Sequence, residues 1–322
     1  MGQLHEISIP SPDGTAMRAW SVLPAKPVAL LQIVHGMMEH SGRYLEFAGW
    51  LADHGIAVYL NDHRGHGKNL EYLPGQVRKG DHIHGHFADR DGWPKSVETL
   101  HDLMLLAKHD HPGLPFFILG HSMGSLMVQS FLRKHSHEID GAILSGPLRQ
   151  PGLLLRSGIA LGNILRRFYG SHHRSKLLVR LGYGSYPRYF RPKRTDFDWL
   201  STDRNVVDEY VADPLCGFPL TTAFYADLFR GLKENSASAP VRKDLPLLIF
   251  AGGKDPAGHF GKDPVEVARL YRKAGLESVD LHIWPDGRHE MLNETNKEDL
   301  WEFVLNWIGL VRSSQFAVND KR

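Results

Sequence analysis

The sequence predicts an α/β fold: a mostly parallel sheet flanked by helices, with a mainly helical insertion dividing it. Three observations carry this reading. Short apolar runs alternate with amphipathic stretches along most of the chain. The runs are almost continuously apolar, as strands covered on both faces must be. The alternation stops once, between about Pro147 and Pro240, where no strand pattern is visible.

The elements follow in order. Ile7–Pro10 and Ala16–Leu23 flank Asp13-Gly14, a turn signal, and read as an antiparallel hairpin at a sheet edge. Leu30–His35, Ala57–Asp62, Phe116–Gly120, Gly141–Ser145, Leu247–Ala251 and Val279–Trp284 read as strands. Helical periodicity falls between them, at about Tyr44–His54, Pro94–His109, Met123–His135, Pro264–Ala274 and Asn296–Val311. The expected organisation is a first core part over 1–146, a cap or lid over 147–240, and a second core part over 241–322. Asn235–Pro240, small residues ending in proline, lead back to the core.

Composition narrows the class. With 42% hydrophobic and 23% charged residues, the chain is neither a disordered tail nor a fibre. One cysteine, Cys216, excludes an intrachain disulfide and a multi-cysteine zinc or iron–sulfur site. No apolar run approaches the roughly 18–20 residues that span a bilayer. The first ten residues lack the basic-then-apolar pattern of an export signal. A cytoplasmic protein is therefore expected. The net charge of +2 conceals an asymmetry. No acidic residue lies between Asp140 and Asp196, while eleven basic ones do. That segment is expected to have a partner of its own.

One motif carries chemistry. Phe116–Leu119 runs into Gly120-His121-Ser122-Met123-Gly124, followed by an apolar helical start. This is G-x-S-x-G in its required strand–turn–helix context. Glycines two before and two after let strand and helix approach closely. The serine then stands at a helix N-terminus, where free N–H groups favour negative charge.

A serine hydroxyl needs a histidine to take its proton and a carboxylate to orient that histidine. The expected chain order is Ser, acid, His. Asp255 lies just past the strand Leu247–Ala251, and His289 just past Val279–Trp284. Asp263 and Asp286 compete as the acid. Asp263 precedes Pro264 and reads as a helix N-cap; Asp286 precedes Gly287 and reads as a turn residue. Oxyanion donors are expected at the Met123 amide and in His35–His40, where Met37 is selected.

These residues resemble the monoacylglycerol lipase and lysophospholipase branch of the α/β-hydrolase superfamily, the serine aminopeptidase-like group. The matching blocks are His35-Gly36 through Glu39-His40-Ser41-Gly42-Arg43-Tyr44, Asp62-His63-Arg64-Gly65-His66-Gly67, Gly120–Gly124, and Asp286-Gly287-Arg288-His289-Glu290. The resemblance implies an α/β-hydrolase core, a Ser122–Asp255–His289 triad, Met37 and Met123 as oxyanion donors, and neither metal nor cofactor. The chain departs from the pattern at Met38, where the family usually has a small residue, often glycine. The expected activity is hydrolysis of carboxylic esters through an acyl-enzyme, on single-chain lipids such as monoacylglycerols or lysophospholipids. Two alternatives stand beside it: a carboxylesterase for short or aromatic esters, and a non-catalytic ligand-binding protein on the same fold.

In the insertion, Leu154, Leu155, Ile159, Leu161, Ile164 and Leu165 are expected to share a helical face, with Arg156, Arg166 and Arg167 elsewhere. Two readings follow: that face packs on the core, or a basic amphipathic helix rests peripherally on anionic membrane. No nucleic-acid recognition motif accompanies the charges, so no nucleic-acid partner is expected. The alternating His82, His84 and His86 read as solvated loop residues rather than a metal site, and Asp62–Gly67 as a structural turn. His121 reads as local packing, and Cys216 as a small buried residue.

Overall fold

The computed structural model describes residues 2–10, 16–71, 84–150, 152–236 and 240–319. The Asp13-Gly14 turn, His82 and part of the Asn235–Pro240 segment lie outside the described residues.

Eight strands form one sheet: β1 (Gln3–Pro10), β2 (Ala16–Leu23), β3 (Ala29–Val34), β4 (Ile56–Asn61), β5 (Phe116–His121), β6 (Gly141–Ser145), β7 (Leu247–Gly252) and β8 (Val279–Trp284). Their spatial order is β1-β2-β4-β3-β5-β6-β7-β8. β1 and β2 form the expected edge hairpin, and β2 pairs antiparallel with β4. All other pairs are parallel.

Parallel neighbours require crossover connections, and helices supply them. They are α1 (Leu45–Asp53), α2 (Gly92–Asp110), α3 (Met123–His135) and α8 (Lys262–Lys273), with α9 (Lys297–Asn319) closing the chain. Between β6 and β7 lie α4 (Gly152–Tyr169), α5 (Lys176–Gly182), α6 (Arg204–Ala212) and α7 (Thr222–Glu234).

Every residue of β3 through β7 is buried, which is why those runs read as continuously apolar. Side chains still alternate between faces. Leu30 and Val34 join one core with Trp93, Leu100 and Phe131, under α2 and α3. Leu31 and Ile33 join the other with Phe47, Trp301 and Trp307, under α1 and α9. β8 has half-buried and exposed positions, since among the described residues it is the last strand of the sheet.

Register fixes what meets at the C-terminal edge. Val34 pairs with Gly120, His121 with Ser145, and Gly252 with Trp284. The loops leaving β3, β5, β6, β7 and β8 therefore open side by side, where such sheets hold their reacting groups.

Two expectations need correction. Asp263 is not an N-cap. Gly261 caps α8, in a left-handed conformation, and Asp263 lies in the first turn accepting from the Arg149 amide at 2.8 Å. The apolar residues of α4 do not share one face. Leu155, Ile159, Leu161 and Leu165 pack toward the core, whereas Leu154 and Ile164 are exposed with Leu153 and Phe168. Closeness of approach decides this. Gly158 and Gly162 form the seat of Phe229 on α7; a Cβ at Gly158 would lie 3.1 Å from that ring.

Candidate active site

The elbow explains its own sequence. Ser122 has φ 53° and ψ −116°, a strained conformation for any residue but glycine. A Cβ on Gly120 would lie 2.4 Å from the Gly124 carbonyl oxygen, and one on Gly124 would lie 2.1 Å from that of Val34. Both glycines are obligatory at this strand–helix contact. The Ser122 amide donates to the Ser145 carbonyl at 2.9 Å, tying the turn to β6. The Ser122 side chain does not cap α3, so its hydroxyl is not committed to the helix.

The acid and histidine meet as a buried pair. The His289 Nδ1 and Asp255 Oδ2 lie 2.8 Å apart, with 3% and 0% of the side chains exposed. Asp255 Oδ1 accepts from the Ala257 amide at 2.8 Å, which fixes the carboxylate plane. Nδ1–H donating to Asp255 leaves Nε2 with a free lone pair. Burial disfavours a charged imidazole, but Asp255, then Glu290 and Glu39, outweigh it and hold His289 above its ordinary value.

Ser122 and His289 converge on β6. His289 packs on Gly146, directly after Ser145; a Cβ there would lie 3.5 Å from the ring. The ring of His121, beside Ser122, is centred 4.7 Å from that of His289. His121 also hydrogen-bonds the Ser145 hydroxyl at 3.1 Å, and burial, then His289, push it well below the usual histidine range. Packing is thus its role here.

The Met37 loop lies against the elbow. A Cβ on Gly36 would lie 3.4 Å from the Ser122 Cβ. Met37 follows it, half-buried against the core, and Met123 opens α3, where amides lack helical acceptors. Met38 takes a left-handed backbone, φ 59°, where glycine would be unstrained. Its carbonyl accepts from the Gly217 amide at 3.0 Å and the Tyr210 hydroxyl at 2.9 Å. Two contacts from the inserted segment therefore hold the strained residue.

Sequence reasoning assigned no role to the buried charges around this loop. Arg43 donates to Glu39 Oε2 at 2.9 Å and, with both terminal nitrogens, to Glu290 at 2.5 and 2.7 Å. Glu39 in turn accepts from the Gly36 amide at 2.5 Å and the Tyr44 hydroxyl at 2.8 Å. Burial and Glu290 raise Glu39 despite Arg43; Arg43 holds Glu290 low despite burial. The guanidinium thus clamps the Met37 loop to the residue after His289. The available signal was the four-residue step from Glu39 to Arg43 and the glutamate beside His289.

The inserted segment also holds the histidine loop. The Glu290 amide donates to the Leu200 carbonyl at 2.7 Å, and the Trp199 ring is centred 5.0 Å from His289. Asp62 behaves as a turn residue: Oδ1 accepts from the Ser41 amide and hydroxyl, and Oδ2 from the Lys68 amide. Cys216 is buried. Asp286 is exposed and pairs with Lys254 at 2.6 Å. A cavity of about 600 Å³ lies within the insertion, lined in part by Lys176, Tyr183 and Phe197, and includes none of Ser122, Asp255 or His289.

The family described as serine aminopeptidase, S33, matches residues 25–296. The chain belongs to that family. A monoacylglycerol lipase from Mycolicibacterium smegmatis is 29% identical over 283 residues, 88% of each chain. A lipase solved in an open form is 26% identical with a TM-score of 0.80, covering 96% of this chain and 99% of its own. A thermostable carboxyl esterase from Bacillus coagulans, in complex with glycerol, is 24% identical with a TM-score of 0.85, covering 97% of this chain and 99% of its own. This S33-family chain has the α/β-hydrolase fold and is a serine hydrolase. Among the described residues, no helix is long and apolar enough to cross a membrane.

Proposed function

We propose that the protein cleaves carboxylic esters of single-chain lipids, monoacylglycerols or lysophospholipids, through an acyl-enzyme on Ser122. The buried His289–Asp255 pair, beside a serine whose hydroxyl does not cap its helix, carries this reading. His289 Nε2 takes the Ser122 proton as the oxygen attacks the ester carbonyl. The amides of Met37 and Met123 receive the oxyanion. Collapse of the tetrahedral intermediate breaks the ester bond, and His289 returns the proton to the leaving alcohol. Water, deprotonated by His289, then releases the fatty acid and restores Ser122.

The lipid substrate is supported by relatives named for it and by the outer surface of the insertion. Leu153, Leu154 and Phe168 on α4 and Leu181 on α5 are exposed beside the exposed cations Arg156, Arg167, Lys176 and Arg180. Apolar residues rimmed by cations suit peripheral contact with an anionic lipid surface. The insertion is then a lid that receives acyl chains from the membrane.

The test is hydrolysis of monoacylglycerols of increasing chain length, with Ser122→Ala as control. A Ser122-dependent rate sustained at long chains is expected. Loss of rate beyond short chains would replace the reading by a small-ester esterase, and no labelling by a fluorophosphonate would remove the serine mechanism. Flotation with anionic vesicles tests the surface: no binding at low salt would remove the membrane contact.

A further inference from the structure

We infer that His86, Asp89 and His172 form a binding site for a divalent transition-metal ion of the Zn2+ type, joining the insertion to the core. His86 and Asp89 precede α2, and His172 lies in the turn between α4 and α5. The three offer ligand atoms all within 4.8 Å of one another.

The hydrogen bonds around His86 assign its tautomer. The Thr221 hydroxyl donates to the Gly85 carbonyl at 3.0 Å, so its hydrogen is committed. The same oxygen faces His86 Nδ1 at 3.1 Å, and with its hydrogen on the Gly85 carbonyl it accepts from Nδ1. Nδ1 carries the hydrogen, and Nε2 presents a lone pair. His86 is 1% exposed, and its Nε2 has no hydrogen-bond partner. It faces Asp89 Oδ1 at 3.5 Å. A metal cation placed between them would engage both lone pairs. The sequence expectation of a solvated histidine fails here because Thr221 and His172, remote in the chain, close over it.

The spacing suits an ion. Asp89 Oδ1 lies 3.1 Å from His172 Nε2 as well as 3.5 Å from His86 Nε2. Tetrahedral ligands at about 2.0–2.1 Å from Zn2+ are about 3.4 Å apart. The Nδ1–H bond to Thr221 is the outer contact that a metal-bound histidine usually carries. Two imidazoles and one carboxylate select Zn2+, Cu2+ or Ni2+ over Mg2+ or Ca2+. Asp89 and His172 are more than half exposed, so water can reach a fourth position. A second cluster, His101, His135 and Glu138, differs: each histidine there has its own glutamate oxygen, at 2.9 and 2.7 Å.

The ion would close a joint already half built. Arg166 donates to the Asp89 carbonyl, Arg174 to the His84 carbonyl at 3.0 Å, and the Thr221 amide to the Gly85 carbonyl at 3.0 Å. None of these residues belongs to the Ser122–Asp255–His289 group, so the test needs no esterase readout. Protein stripped with EDTA is titrated with Zn2+ against a chromophoric chelator, alongside His172→Gln and Asp89→Asn, both half-exposed positions that leave folding intact. A site of micromolar or tighter affinity is expected in the parent chain, weakened at least tenfold in each variant. Excess Zn2+ should raise the parent's Tm by several degrees and the variants' by less. Thr221→Val removes the outer contact together with the Gly85 hydrogen bond and the α7 N-cap, and should weaken binding about 10–100-fold, with its Tm in the absence of metal measured alongside. No such site in the parent, or equal affinity in all chains, overturns the inference.

Discussion

The elbow and the first inserted helix are both short apolar sequences rich in glycine, yet the fold treats them oppositely. Around Ser122, glycine brings backbones into contact and every neighbour is buried. On α4, Gly158 and Gly162 seat one ring, and the opposite face is left in solvent with four large apolar residues on it. The first region is held by interactions from five strands and their loops. The second is held along one side only. Close packing is concentrated at the candidate reacting groups, and exposed apolar surface lies where the proposed reading puts contact with lipid.

The sharpest test of that contrast is removal of the proposed nucleophile. Ser122→Ala should lower kcat by roughly 10^4–10^6-fold while Tm changes little, measured with a soluble ester. Residual Ser122-independent turnover near the parent rate would break the reading at its centre.

Asp255→Asn comes next. The loss should be about 10^4-fold, because the amide favours the wrong imidazole tautomer. The pH profile adds a sign. In the proposed mechanism hydrolysis requires neutral His289, which Asp255 holds above the ordinary histidine value despite burial. The acid limb of kcat/KM in the parent should therefore fall at a higher pH than an unperturbed histidine gives. Removing the carboxylate leaves burial to dominate, so the limb should move to lower pH. An unmoved limb would show that Asp255 does not support that charge.

Arg43→Met tests the clamp. It leaves two carboxylates buried without their cation, which costs about 3–5 kcal/mol in stability. kcat should fall more than KM rises, because the Met37 loop and His289 lose their common anchor. Arg43→Lys, keeping the charge but not the fork, should recover part of the stability and less of kcat. Loss of stability with kcat intact would make the clamp purely structural.

The smallest effect on the folded core should come from the outer face of α4. Leu153→Ser with Phe168→Ser should change stability by about 0.5 kcal/mol or less, as exposed positions do. Hydrolysis of a soluble ester should be unchanged, while binding to anionic vesicles drops tenfold or more, since each side chain can contribute about 1.5–3 kcal/mol when fully buried in lipid. Unchanged vesicle binding would erase the contrast between the two regions.

Contiguous residues determined the sheet, its crossovers and the chain positions of Ser122, Asp255 and His289. Continuous apolarity marks a doubly covered strand, and G-x-S-x-G encodes a close approach that the backbone itself enforces. Local chemistry of that kind survives without knowledge of distant neighbours. Only the tertiary structure joined Arg43 to Glu290, 247 residues away, or set His172 of the insertion against His86 and Asp89. It also decided which leucines of α4 face water, through the packing of Gly158 and Gly162 on Phe229. The physical reason is common to all three. A side chain's partner across such separations is chosen by how elements pack and how closely their backbones approach, and no periodicity within either segment records it.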